Sequence, residues 1–248
     1  MDKDIGFNRN IKLDWLNATA SFCAETNDPT EIRERLEVVL AQDRSGVEAI
    51  RKSIDILINI WHKNKEEYPA LIEYAGKHFT ETFNPSDRLW LHYGLTSLYY
   101  SIFRETTSVI GKLSKLGSII TNKEVIKQLI SERGHLGSLE RSAQRIVSSL
   151  RDWDLLAESD KSFAYKARYR ELQTDSLELQ AWLLQCAFIA KNVEQIPYED
   201  IIRLPELFPF NITVSLDYLR KNAPFSVYRS GGGINMIELK MRGNKTDD

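Results

Sequence analysis

Basic side chains recur at short intervals in the second half of the chain, with types and spacing suited to binding nucleic acid. Arg141 and Arg145 stand about one helical turn apart in the segment SLERSAQRIVSSLRDW. A guanidinium group binds phosphate oxygens or the edge of guanine through two parallel hydrogen bonds. Four further cations follow within ten residues, at Lys161, Lys166, Arg168 and Arg170. Phosphate groups are the ligands that such a run favours, because each neutralised phosphate adds salt-sensitive affinity.

The segment from residue 138 to 151 predicts a helix with two different faces. Apolar residues at helical spacing predict a buried stripe of Leu139, Ala143, Ile146, Val147 and Leu150. The polar residues between them predict an outward face that contacts DNA. The candidate contacts on this face are Ser138, Arg141, Ser142, Gln144 and Arg145.

The order of elements around this helix is typical of a winged helix. A helix capped near Asn122 ends at Gly134, the helix from residue 138 comes next, and LLA and SFAYKA form a hairpin with a polar tip. In winged-helix proteins the second helix of the pair enters the major groove. We therefore expect the helix to face bases and the hairpin, with its four cations, to face phosphates.

The C-terminal segment from residue 211 to 239 repeats this order. We predict a helix ITVSLDYLRKN, a strand FSVYR, a turn SGGG and a strand INMIEL. The glycines leave room for close approach to a phosphate, although they also suit an ordinary hairpin turn. The candidate DNA contacts in this second module are Thr213, Ser215, Arg220, Lys221 and Arg229.

Sequence signals for catalysis are missing. The four histidines are dispersed, the two cysteines form no CxxC pair, and neither GxSxG nor HExxH occurs. His92 lies within an apolar helix and is predicted to be a core residue. We therefore expect a non-enzymatic protein without a metal or another cofactor.

Composition predicts a globular protein whose basic character is local. The formal net charge is −2, with 33 Lys and Arg against 35 Asp and Glu. Residues 1–100 carry 12 basic and 16 acidic residues, whereas residues 101–248 carry 21 and 19. The N-terminus does not resemble a signal peptide, and no apolar stretch approaches the ~18 residues that span a bilayer. We expect a cytoplasmic protein without membrane contact.

The hydrophobic pattern predicts a mainly α fold. Residues 1–107 are expected to form a bundle of about five helices, with the apolar stretch Leu89–Phe103 as its central helix. Residues 108–174 are expected to form the first winged-helix module. Residues 175–240 are expected to contain a further helix and the second module. The tail from 241 to 248 is predicted to be disordered.

Several segments together resemble the BrxA family, accessory proteins of BREX phage-defence systems. They are RERLEVVLAQDRSGVEAIRKSI, LWLHYGLTSLYYSIFRE, SLERSAQRIVSSLRDWDLL and LPELFPF followed by VSLDYLRKN. The third segment is similar to that family's Leu-Arg-Asp-aromatic-x-Leu-Leu signature. The resemblance implies a helical, non-enzymatic protein that binds double-stranded DNA beside other defence-system proteins, including a methyltransferase and an ATPase.

Two other functions fit the same sequence. Winged helices also bind proteins, so the chain could serve as a protein–protein interaction scaffold with negligible affinity for DNA. It could also be a transcriptional repressor, which would require a dimer and a palindromic site. The sequence leaves the oligomeric state and the DNA sequence preference open.

Overall fold

The computed structural model describes residues 6–82, 84–116, 119–134, 137–161 and 163–240, and they are mainly helical, with two small antiparallel sheets. The predicted tail from 241 to 248 lies outside these ranges. The helices predicted for the first hundred residues are present, and a π-helical turn and a short α4 lie among them. The elements are α1 (Leu13–Glu25), α2 (Pro29–Ala41), α3 (Val47–Ile58), the π-helical turn (Asn59–Lys63), α4 (Asn64–Glu67), α5 (Pro69–Glu81) and α6 (Pro85–Tyr99).

Helix α6 is the central helix of this half, but it is shorter than predicted. Every residue from 89 to 98 is buried, as its apolar sequence predicts. The expected continuation to Phe103 is wrong, because Tyr100 has an extended backbone with φ −106° and ψ 107°. The Tyr100 ring is buried against Phe7, and its hydroxyl accepts a hydrogen bond from Asn59 Nδ2 at 2.9 Å. These tertiary contacts end one helix and begin the next.

Helix α7 (Ser101–Leu116) belongs both to the bundle and to the second half of the chain. The predicted boundary between residues 107 and 108 falls inside this helix. Its side chains pack against α6, against the next two helices along the chain, and against a 3-10 turn at Pro205–Leu207. One continuous hydrophobic core therefore runs through the described residues, from Phe7 to Ile237.

The first sheet module comes directly after α7. It consists of β1 (Ile120–Thr121), α8 (Asn122–Arg133), α9 (Leu139–Asp152), β2 (Leu156–Glu158) and β3 (Ala164–Ala167). The strands pair antiparallel in the order β1-β3-β2, so β3 is central and the predicted hairpin is present. Thr121, rather than Asn122, caps α8, and it forms a capping box with Glu124.

The second sheet module repeats the strand order of the first. Helix α10 (Leu177–Lys191) precedes β4 (Ile196–Pro197), α11 (Tyr198–Ile201), the 3-10 turn, α12 (Leu216–Asn222), β5 (Phe225–Arg229) and β6 (Asn235–Leu239). The sheet order is β4-β6-β5. As in the order β1-β3-β2 of the first sheet, the last of the three strands in the sequence is central.

Among the helices of the described ranges, none combines the length and apolar character needed to cross a membrane.

The predicted start of the C-terminal helix at Ile212 is wrong, because α12 begins only at Leu216. The reason lies in the buried Gln180 of α10. Its Oε1 accepts the backbone N–H groups of Thr213 and Val214 at 2.7 and 2.8 Å, which holds this segment outside the helix. Ser215 then caps α12 by accepting the N–H of Tyr218.

Gly111 allows α7 to approach the second module closely, and its replacement by alanine should destabilise the protein. A Cβ atom at this position would overlap the backbone carbonyl group of Pro205. We expect Gly111→Ala to lower the free energy of unfolding by at least about 2 kcal/mol, because backbone must shift on one side. Denaturant unfolding measures this change.

Gly76→Ala in α5 is the matched control, since a Cβ there meets nothing within 4 Å. Alanine should raise stability at this position by up to about 1 kcal/mol, because it favours the helix over the unfolded chain. Equal effects of the two substitutions would contradict the close approach of α7 to Pro205.

Candidate nucleic-acid interface

Helix α9 buries one face and exposes the other, as its sequence predicts. All five residues of the predicted stripe are buried. Arg141, Gln144 and Arg145 are exposed on the opposite face. Ser148 and Arg151 extend this face by two further turns, since they stand seven and ten positions after Arg141. The result is a polar helix face about three turns long with three arginines.

Two serines of α9 were expected on the outward face, and one of them is not there. Ser142 is 0% exposed, so its prediction as a DNA contact is wrong. It stands three residues after Leu139 and four before Ile146, which places it within the buried stripe. Ser138 is exposed at the start of the helix, although its side chain makes no capping hydrogen bond.

An open groove of about 650 Å³ lies between α9, the start of α8 and the β2–β3 hairpin. None of the described residues that line it carries a carboxylate, while three carry a positive charge. The lining residues are Thr121, Asn122, Lys123, Gln144, Arg145, Ser148, Arg151, Phe163 and Tyr165. The groove thus presents hydrogen-bond donors and cations, which suit an anionic ligand.

The four cations of the hairpin region differ in their surroundings. Lys161 and Lys166 are exposed, and neither lies within ion-pair distance of a described carboxylate. Arg168 is half-buried and forms ion pairs with Asp154 and Glu171. Arg170 is exposed beyond the hairpin, where its backbone N–H binds the oxygen of Phe208. Lys161 and Lys166 are therefore better placed than Arg168 to bind phosphate.

Seven of the nine residues that line the groove were not predicted as contacts, and three of these seven, Arg151, Lys123 and Phe163, are exposed. Arg151 could have been found by extending the polar face of α9 by two turns, and it pairs with Glu158 and lies over the ring of Tyr165. Lys123 is exposed in the first turn of α8. No local pattern predicts that it faces α9, because their proximity depends on the packing of the two helices.

Phe163 is the third missed residue, and it has an unusual conformation. Its ring is 78% exposed near the tip of the hairpin, and its φ of 57° lies in the left-handed region. An aromatic residue rarely adopts this conformation, since its Cβ crowds the following carbonyl group. Neither burial nor backbone preference therefore accounts for a phenylalanine here.

The candidate contacts of the second module are mostly engaged within the protein. Thr213 binds Gln180 and Ser215 caps α12, so both act in the local structure. Arg220 forms an ion pair with Asp217 at 2.9 Å. Arg229 donates to the oxygen of Gly233 within its own turn. Lys221 is exposed and lies outside ion-pair distance of any described carboxylate.

His92 is a buried residue that serves packing. It is 0% exposed, with Nδ1 accepting from Trp61 Nε1 at 3.1 Å and Nε2 lying 3.0 Å from Asn17 Oδ1. Burial, and then the charge of Arg88, lower the pKa of this imidazole to about 3. It is therefore neutral near pH 7.

The described residues include no group of three His, Cys, Asp or Glu placed to hold a metal ion.

Comparisons with protein-family models, with curated proteins and with solved structures found no match to this chain.

Asparagine should replace Phe163 without loss of stability. Asn tolerates the left-handed conformation better than an aromatic residue does, and the exposed ring contributes little burial. We expect Phe163→Asn to leave the free energy of unfolding unchanged or to raise it by up to about 1 kcal/mol. Denaturant unfolding checks this expectation. A loss of more than about 1 kcal/mol would mean that the ring stabilises the fold.

His92 should make the protein less stable in acid. Its pKa in the folded protein lies below the value of about 6.5 in an unfolded chain, so between these values only the unfolded chain binds the proton. This stability is complete above pH 6.5 and falls by up to about 1.4 kcal/mol per pH unit below it. Unfolding of the parent and of His92→Gln should be compared between pH 7 and pH 5. If the free energies of unfolding of the parent and of His92→Gln changed equally with pH, this account of His92 would be contradicted.

Proposed function

We propose that the chain binds double-stranded DNA through a winged-helix module formed by residues 101–167. Helix α7, β1, α8, α9 and the β2–β3 hairpin have the order of that fold, and the sheet order β1-β3-β2 agrees with it. In this module α9 is the recognition helix and the hairpin is the wing. Residues 177–239 form a second module of the same kind.

One observation carries the proposal: exposed cations without an ion-pair partner lie on α8, α9 and the hairpin, and no described carboxylate lines the groove between these elements, where Lys123 and Arg145 lie. Arg141 and Arg145 on α9, Lys123 on α8, and Lys161 and Lys166 on the wing are all exposed. None of the five forms an ion pair with another described residue, although the protein as a whole is slightly acidic. Local positive potential of this kind attracts the DNA backbone.

The side chains divide by their chemistry into two groups. Arg141, Gln144 and Arg145 can reach base edges, because they occupy the outward face of the recognition helix. The three lysines lie on α8 and on the wing, and they suit phosphates, which position the protein without reading the sequence. The exposed ring of Phe163 can contact a sugar or a base beside the wing.

The second module contributes less to this proposal than its sequence suggests. Arg220 and Arg229 already have partners within the module, whereas Lys221 is available. We therefore assign the principal DNA contact to the first module. The resemblance to the BrxA family supports the same function, and it suggests a non-enzymatic accessory protein of a BREX-like bacterial phage-defence system.

Replacement of the two arginines of α9 should weaken DNA binding without unfolding the protein. We expect Arg141→Ala with Arg145→Ala to lower affinity for a short duplex roughly ten- to hundredfold at about 0.1 M salt. The melting temperature should change little, because both side chains are exposed. Fluorescence anisotropy with a labelled duplex measures the affinity.

The control is Arg51→Ala with Arg203→Ala, which removes the same charge from exposed arginines. Each of these already has a glutamate partner, Glu48 and Glu199 respectively. The control should bind DNA nearly as well as the parent. The assignment of α9 is wrong if the α9 variant also binds like the parent. No binding by the parent at about 50 mM salt would favour a protein-interaction module.

A further inference from the structure

Three arginines from distant parts of the chain meet beside α9. Arg9 precedes α1, Arg44 follows α2, and Arg145 lies on α9. We call them the arginine cluster. Only Arg145 belongs to the groove described above, so the other two bring cations of the N-terminal bundle to the edge of the proposed DNA-binding surface.

A chain of short contacts brings these residues together. Arg44 Nη2 donates to the backbone oxygen of Asn10 at 3.2 Å, next to Arg9 in the sequence. The side-chain oxygen of Asn10 lies 3.2 Å from the hydroxyl of Ser149. That hydroxyl in turn lies 3.0 Å from the backbone oxygen of Arg145, one helical turn away.

The guanidinium group of Arg44 is held in place by uncharged partners. It donates to Ser53 Oγ at 2.7 Å, and its central carbon lies 4.9 Å from the ring centroid of Trp15. Burial, and then the nearby charges of Arg9 and Arg145, lower its pKa from the ordinary value. The cluster therefore positions a partly desolvated cation next to two others.

Carboxylates close to the cluster are engaged elsewhere. Asp43 binds Lys12 at 3.1 Å and Trp15 Nε1 at 3.2 Å. Asp152 accepts the backbone N–H of Leu13 at 2.7 Å. Within the described ranges, the members of the arginine cluster have no carboxylate within ion-pair distance, and Arg9 binds only oxygens of Asn8. The charges of Arg9 and Arg145 act on Arg44 closely enough to lower its pKa, and a bound anion relieves this repulsion.

We propose that Arg9 and Arg44 of the arginine cluster bind the phosphodiester backbone of duplex DNA and extend its path from Arg145 of α9 onto the N-terminal bundle. This inference rests on the proposed function, since it assumes that α9 holds the duplex. Guanidinium groups bind phosphate oxygens through paired hydrogen bonds, and their positions here are fixed by the fold. The bundle thus contributes to DNA binding directly, as well as supporting the module.

The test is the salt dependence of DNA binding by the full chain with Arg9→Gln and Arg44→Gln. Each lost phosphate contact should reduce the slope of log affinity against log salt by about 0.9. We therefore expect a slope shallower by nearly two and an affinity roughly ten- to hundredfold lower at 0.1 M salt. Fluorescence anisotropy with a duplex of arbitrary sequence gives both values.

Two further variants keep the test decisive. Arg9→Gln alone keeps the Arg44 contacts to Ser53 and Trp15, so it serves if the double variant does not fold, and its slope should fall by about one. Arg9→Lys keeps the charge and should keep the slope of the parent. The control pair Arg51→Gln and Arg203→Gln should also leave the slope unchanged.

The outcomes separate this inference from the function on which it rests. If the parent binds DNA and the glutamine variants match its affinity and slope, the arginine cluster is not a phosphate site, while the role of α9 stands. If the parent does not bind DNA even at about 50 mM salt, the proposed function fails and the inference fails with it.

Discussion

The arrangement of the proposed DNA-binding surface depends on how the segment before α1 is fixed to α9. Ser149 Oγ accepts the N–H of Ile11 at 2.8 Å, and the Ile11 oxygen accepts from Trp153 Nε1 at 2.9 Å. Asp152 accepts the N–H of Leu13. The first two of these bonds are buried, so breaking them would leave polar groups unsatisfied. These hydrogen bonds therefore fix the position of the N-terminal bundle relative to the first sheet module.

A slightly acidic protein can carry unbalanced positive charge locally, because its cations differ in whether carboxylates balance them. Most described ion pairs of the bundle lie on α2, α3 and their neighbours, where arginines and lysines are balanced by carboxylates. The exposed face of α9, the start of α8 and the β2–β3 hairpin keep cations without such partners. Net charge averages over both kinds of surface. The arrangement of charge is what matters for a ligand with a regular array of phosphates.

Local patterns predicted the elements, and tertiary contacts decided where several of them end. The stripe of α9 and the hairpin of the first module followed from apolar spacing and turn residues. The break at Tyr100 and the late start of α12 did not, because Asn59 and Gln180 cause them from distant positions in the chain. Ser142 was misplaced although its spacing from Leu139 and Ile146 contained the signal.

The candidate site was predictable to a similar extent. The exposed arginines of α9 and the exposed lysines of the hairpin region were found from sequence, because they lie within one local motif. The engagement of Arg168 with Asp154 depends on the turn geometry between α9 and β2. Arg9 and Arg44 could not be found in this way, since they lie more than a hundred residues from Arg145 and reach it only through the folded core.

The most direct test of the central claim is a salt titration of binding between the unaltered protein and two duplexes of unrelated sequence. Five proposed phosphate contacts, from Lys123, Lys161, Lys166, Arg9 and Arg44, predict a log–log slope of about −4 to −5. A difference in affinity between the duplexes would report base contacts from α9. A slope near zero, or no binding at about 50 mM salt, would contradict the account.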